Sequence, residues 1–145
     1  MPNTPDTLAL ADSLRAPLLR VARRLRQEAQ RVGSSALDAL ILGHVRRNPG
    51  IGVSDLADAE QMSRPSMSSH VKRLEAAGWI LRSDHSEDGR RSGFEITPQG
   101  QAQLDAVRQR RNDWLAERLA RLSPEARDAL AAANEPLLEL LSLDQ

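Results

Sequence analysis

Cysteine is absent from the 145-residue chain. That excludes disulfides, thiolate-bound metal and redox sensing through a thiol. Aromatic side chains are nearly absent too, with one phenylalanine, two tryptophans and no tyrosine. A core must therefore come mostly from Leu, Ala, Val and Ile, which together with many Arg and Glu favour helices. No stretch approaches the ~18–20 apolar residues of a membrane span. The opening MPNTPDTLAL also lacks the basic-then-apolar layout of a secretory signal, so the expectation is a cytoplasmic protein with no membrane partner. Net charge is missing as well, because twenty Lys+Arg balance twenty Asp+Glu. This argues against a non-specific polycation, and any basic surface has to arise by spatial segregation. Lysine occurs once, as Lys72. There is no HExxH, GxSxG, phosphate-cradling glycine loop or cysteine nucleophile. The chain does not read as an enzyme, and no cofactor is implied.

What is present centres on residues 62–97. Ser63 is a good N-cap, and Pro65 near the helix start tolerates having no N–H to donate. Met67, Val71 and Leu74 follow at i, i+4 and i+7, on one helix face. Near or beside the opposite face lie Arg64, Ser66, Ser68, Ser69, Lys72 and Arg73. These short donors and cations suit a helix approaching a phosphate-lined groove. Gly78 supplies a left-handed cap, after which Trp79-Ile80-Leu81 reads as extended. The loop 83–93 holds Asp84, Glu87, Asp88, Arg90 and Arg91, and Phe94-Glu95-Ile96 then alternates apolar and polar. Two short strands joined by a long charged loop form a wing, whose tip arginine fits a minor groove. The competing reading, a helix and a surface hairpin with solvated charges, suits the helix alone as well as it suits a groove reader. It suits helix and wing together much less.

Upstream, the first residues, with Pro2 and Pro5, read as frayed. A helix follows over about 6–31. Leu14, Leu18, Val21 and Leu25 make an apolar stripe, and Pro17 within it predicts a kink or a start near Ser13. Arg15, Arg20, Arg23, Arg24, Arg26 and Arg31 give a basic outer face, read as solvated with i,i+4 pairing such as Arg24 with Glu28. Ser35 and Asp38 have capping-box spacing. The next helix carries Leu37, Leu40, Ile41, His44 and Val45 and stops at Asn48-Pro49-Gly50. His44 reads first as a neutral packing residue, with reach into a pocket as the alternative. Ile51-Gly52-Val53 reads as a very short strand. A short helix over 53–59 places Asp55 in its first turn and turns Leu56 and Ala57 inward. Glu60-Gln61-Met62 links it to the helix at Arg64, the layout of a helix-turn-helix.

Downstream, Thr97-Pro98 opens a helix over about 98–121, with Leu104, Val107, Arg111, Trp114 or Leu115, Arg118 and Leu122 at roughly helical spacing. At ~24 residues it spans ~36 Å, longer than a small winged head needs. Ser123-Pro124-Glu125 opens another helix, whose Leu130, Leu137, Leu138, Leu140 and Leu141 make it strongly apolar and which Pro136 interrupts. A leucine-rich terminal helix that cannot bury itself on a small head points to a partner surface. The economical partner is a second copy, through a two-fold interface; an intrachain bundle is the alternative.

With these pieces in order, the chain resembles the MarR family of bacterial winged helix-turn-helix transcription regulators. The resemblance covers most of the chain and is carried by LEAAGWI, DGRR and ITPQG, on Leu74, Glu75, Gly78, Trp79, Ile80, Asp88, Arg90, Ile96, Thr97 and Gly100. It implies a mainly α fold with a small β-wing, a single domain over 1–145. A winged helix-turn-helix head would occupy about 35–97, and long dimerisation helices about 6–31 and 98–145. It implies a homodimer that sits on successive major grooves of a pseudo-palindromic double-stranded DNA operator and blocks transcription. Recognition-helix contacts would fall on Arg64, Ser66, Ser68 and Ser69, with Lys72 and Arg73 nearer the phosphates. Arg90 would be the wing arginine, Asp88 its brace through Arg82 or Arg90, and Arg91 a further cation directed at phosphate.

Family members often respond to small aromatic or phenolic ligands between head and dimerisation helices. The candidate contacts for such an effector are Arg20, Arg24, His44, Trp79 and Trp114. The lack of cysteine excludes the family's thiol-based peroxide sensors. His44, His70 and His85 lack metal-ligand spacing within any one element, so no metal site is expected. Two departures from the family pattern stand out. Glu60 occupies a position that is often apolar, and Pro17 interrupts a helix that usually serves the dimer interface. The reading from another class is a winged helix that docks a protein groove. The exposed apolar anchors it would need are missing from the face of residues 64–73, which offers serines and cations.

Overall fold

The computed structural model describes residues 4–83 and 93–144. The first helix is set by its cap: the Thr4 hydroxyl accepts from the Thr7 N–H at 3.3 Å, and Pro5 occupies the first turn. From there α1 (Pro5–Glu28) runs through Pro17 as one helix. The late start near Ser13 does not form, and Pro5 opens the helix instead of fraying. Pro17 removes one donor and crowds the Ser13 carbonyl, at a cost of ~3 kcal/mol. Residues 4–21 are all exposed, so that carbonyl stays open to water. The expected span to 31 divides in two, because Ala29–Val32 tighten into a 3-10 turn closed by Gly33 at φ 83°.

The second helix, α2 (Ala36–Arg47), starts from a complete capping box. Ser35 Oγ accepts from Asp38 N–H, and Asp38 Oδ2 accepts from Ser35 N–H, both at 3.0 Å. Its inner face contributes Ile41, Leu42 and Val45 to the core. Ile51 forms no strand of its own. It makes a single bridge to Phe94, with Phe94 N–H donating to Ile51 O at 2.9 Å. Next comes α3 (Val53–Ala59), burying Leu56 and Ala57 as expected. The turn that follows holds Gln61 at φ 52°. Ser63 then caps α4 (Arg64–Ala76), which buries Met67, Val71 and Leu74.

Gly78, at φ 79°, turns the chain into β1 (Ile80–Ser83), which pairs antiparallel with β2 (Gly93–Ile96), Ile80 opposite Ile96. Phe94, the lone phenylalanine, is 1% exposed and closes the core that α2, α3, α4 and β1 share. Thr97 Oγ1 joins the sheet to the next helix, α5 (Pro98–Leu119). It accepts from Gly100 N–H at 3.0 Å and donates to Gly78 O at 2.6 Å.

The chain divides into two compact units between Arg111 and Asn112. The first contains the core. The second holds the end of α5, then α6 (Pro124–Ala132) and α7 (Asn134–Ser142), neither of which has a buried residue. The break falls at Ala133, just ahead of the expected interruption at Pro136. Pro136 offers no N–H to the Ala132 carbonyl and its ring crowds that oxygen, so the helix gives way upstream. Leu138 and Leu141 are 66% and 68% exposed, and in the first unit Leu14, Leu18 and Val21 of α1 are exposed as well. Among the described residues no helix is long and apolar enough to cross a membrane.

Gly100 is dictated by space. A Cβ there would stand 2.1 Å from the Trp79 carbonyl oxygen and 2.8 Å from the Ile96 side chain. Gly100→Ala is expected to destabilise the fold by about 2–3 kcal/mol, as over-packing does. Urea unfolding followed by circular dichroism checks this, and an unchanged midpoint would contradict the close approach.

Candidate nucleic-acid interface

The candidate surface is the outer side of α4. Its inner side is anchored by Met67 and Leu74, both 0% exposed, each worth roughly 1.5–3 kcal/mol of burial. That anchorage leaves Arg64, Ser66, Ser69, Lys72 and Arg73 exposed and Ser68 half-buried. Ser69 spends its proton on the Pro65 carbonyl at 3.3 Å, so toward a ligand it acts chiefly as an acceptor. Among the described residues no ion pair engages Arg64 or Lys72.

Arg73 is engaged differently. Its guanidinium grips Asp38 with both nitrogens, Nη1 to Oδ2 at 3.1 Å and Nη2 to Oδ1 at 2.5 Å. Nη2 also donates to His70 Nδ1 at 3.2 Å. Asp38 is therefore both the cap of α2 and the anchor of α4. Burial by itself raises its carboxyl, but hydrogen bonds from Arg73 and the Ser35 N–H outweigh this and hold it below the usual carboxylate range. The same hydrogen bond holds Arg73 more firmly protonated.

The wing residues Asp88, Arg90 and Arg91 lie outside the described residues, as does His85. At the base of the wing, Arg82 donates to Glu75 Oε1 at 3.4 Å and lies 5.4 Å from the centre of the Phe94 ring. The residues expected at an effector pocket are spread over several surroundings. Arg20 is exposed on α1, and Arg24 pairs with Glu28 at 2.8 Å. Trp79 packs against the main core. His44 lines a shallow cleft of about 430 Å³ with Asn48, Gly50 and Asp55. In the second unit Trp114 is half-buried, with the Arg118 guanidinium 4.4 Å from its ring centre.

Three features escaped the sequence reading. Asp38 pairs with Arg73 across 35 positions; only its cap role was visible locally. Glu60 meets His44, Oε1 to Nε2 at 2.8 Å, which resolves the apparent departure at that position. Glu28, read as part of a solvated face, is 2% exposed and ringed by Arg24, Arg31 and Arg110 at 2.8, 3.5 and 3.3 Å. Among the described residues no group of three or more His, Cys, Asp or Glu is placed to hold a metal.

The lowered Asp38 value fixes the sign of a pH effect. The pair's contribution is fully present above the unfolded carboxylate pKa of about 3.9 and is lost as pH falls through the lower folded value. Asp38→Asn is expected to cost about 2 kcal/mol at neutral pH and to flatten the decline in stability below about pH 4. Urea titrations across acidic pH measure both; an identical acid limb in the variant would contradict the assignment.

Comparison with known proteins gives consistent matches. A model of the MarR family matches residues 35–92. Over 136 residues the chain is 33% identical to an HTH-type transcriptional regulator of Mycobacterium tuberculosis, an alignment covering 91% of this chain and 92% of that relative. Its fold matches a crystal structure of a Pseudomonas aeruginosa protein assigned as a transcriptional regulator, with TM-score 0.78 and 32% identity over 97% of this chain and 98% of that one. A Staphylococcus aureus MepR variant bound to an oligodeoxyribonucleotide matches with TM-score 0.69 and 20% identity, covering 91% and 97% of the two chains. That last likeness is one of fold.

Proposed function

The chain belongs to the MarR family of transcriptional regulators, which are not enzymes, and from that premise we propose that it is a homodimeric repressor of a pseudo-palindromic operator. It acts in the cytoplasm, and a small aromatic molecule releases it from DNA. The observation that carries the reading is the outer face of α4. That face presents Arg64, Ser66, Ser69 and Lys72 to solvent, with no acidic residue between Ser63 and Leu74. Arg64, at the helix N-terminus, reads a guanine edge, since a guanidinium grips its O6 and N7 bidentately. Ser66, Ser68 and Ser69 supply shorter contacts, and Lys72 meets phosphate. Arg73 serves mainly by holding α4 on Asp38. On the wing, Arg90 enters the minor groove, Asp88 braces it and Arg91 meets phosphate.

The head takes residues 35–97, and residues 6–31 and 98–145 serve dimerisation. A second copy covers the exposed leucines of α1 and α7, apolar faces of the kind that mark protein contacts. The effector class is carried over from the family resemblance.

Fluorescence anisotropy on DNA from the protein's own upstream intergenic region, against a scrambled duplex at two salt concentrations, tests the DNA reading. Arg64→Ala is expected to cost about 1–3 kcal/mol and relax selectivity, whereas Lys72→Ala weakens both duplexes alike and lowers the salt slope by about one. Arg90→Ala is expected to weaken operator binding too. Selectivity untouched by all three variants would overturn the residue assignments.

For the dimer, sedimentation equilibrium is expected to give two copies for the wild type and one for Leu138→Glu, which then loses most operator affinity. A monomeric wild type would refute the interface.

A further inference from the structure

His70 is the histidine of α4 and lies beside Arg73. It is half-buried at the edge of the outer face, where Ser66, His70 and Arg73 follow at i, i+4 and i+7. One side of its ring is held. Arg73 Nη2 lies 3.2 Å from His70 Nδ1 and 2.5 Å from Asp38 Oδ1, and a terminal guanidinium nitrogen carries two hydrogens, one for each. Arg73 Nη1 completes the fork on Asp38 Oδ2 at 3.1 Å, so the guanidinium plane is set by a carboxylate only 4% exposed.

A guanidinium has donors and no acceptor. The imidazole nitrogen that faces it must therefore offer a lone pair, and in the neutral ring the proton then sits on Nε2. The chain Asp38–Arg73–His70 thus fixes both the orientation of the ring and its tautomer. What His70 presents on its far side is a single directional N–H.

We propose that His70 is a further DNA-reading residue of α4, donating from Nε2–H to a base-edge acceptor, with Asp38 and Arg73 as positioning residues behind it. The acceptors that match one neutral donor in a major groove are a purine N7, guanine O6 or thymine O4. This rests on the reading that α4 faces DNA. An uncharged donor adds little to phosphate attraction, so its effect falls on selectivity between sequences and leaves general affinity and salt dependence alone.

Two measurements test it. Long-range 1H–15N correlation spectra of the free protein, with the His70 signals identified by their loss in His70→Gln, are expected to show the proton on Nε2. Asp38→Asn is expected to turn this into a mixture of tautomers. A proton on Nδ1 in the wild type, or no change in Asp38→Asn, would overturn the relay.

The second uses a duplex selected from a random-sequence pool by the wild-type protein, with a scrambled duplex as control. His70→Ala and His70→Asn are expected to lose roughly five- to tenfold in preference for the selected duplex, with binding to the scrambled one unchanged. His70→Gln, whose amide nitrogen reaches the position of Nε2, keeps the preference within about twofold. If His70→Gln loses as much as His70→Ala, a donor at that position is not the cause and the inference fails. If all three keep the wild-type preference while Arg64→Ala loses it, the inference fails and the α4 reading stands. If Arg64→Ala keeps it as well, both fall together.

Discussion

A buried carboxylate, Asp38, sets the geometry on which the candidate surface depends. Aliphatic packing of Met67, Val71 and Leu74 holds α4 in the core but is not directional. Such a face defines the roll of the helix less sharply than a directional bond does. Asp38 adds direction: it is tied to the first turn of α2 through the Ser35 N–H and to the last turns of α4 through the guanidinium fork of Arg73. Desolvating a carboxylate is costly unless its lone pairs are occupied, and here both oxygens are. Losing either partner exposes the remaining cost, so the arrangement resists drift.

The second constraint is electrostatic. A chain of zero net charge offers a cationic surface only if its acids are occupied elsewhere. Several around the head are. Glu60 is bound to His44, Glu75 to Arg82 and Asp38 to Arg73, and Glu28 is enclosed by three arginines of α1, its 3-10 extension and α5. Arg64 and Lys72 are left without an ion-pair partner among the described residues. Segregation here is less a matter of where cations cluster than of which cations the acids leave alone.

What the sequence made legible follows from this. Caps, stops and faces are local, and they were read residue by residue. Ser35 with Asp38, Ser63, Gly78, Thr97 with Pro98 and Ser123 all begin or end helices where their chemistry says they should. The pairings that give these elements their relative placement were not legible, because they join positions far apart. Asp38 meets Arg73, His44 meets Glu60, and Gln103 reaches the Val32 carbonyl at 2.6 Å. Glu28 shows the same limit from the other side. Its spacing to Arg24 was correct, but its burial depends on Arg110, which periodicity within α1 cannot reveal. The late start that Pro17 offered as one outcome fails for a different reason: a strong cap at Thr4 lies ahead of it, and the helix around it is solvated.

The exposed leucines connect the architecture to the proposed activity. One α4 presents two cations with no ion-pair partner among the described residues, and each neutralised phosphate contributes only a modest, salt-sensitive increment. That helix by itself is therefore a weak DNA ligand. Joining two heads rigidly makes the second engagement intramolecular, and affinity then rises by the effective concentration, with no new kind of contact required. That gain exists only if the spacing between heads matches successive turns of the duplex, which demands a stiff junction in place of a flexible tether. Long helices with apolar faces meet that demand, since burying leucines against a second copy supplies stability and rigidity together. In the proposed dimer, the apolar excess that the small head cannot bury fixes the spacing at which Arg64 and its symmetry mate reach the operator.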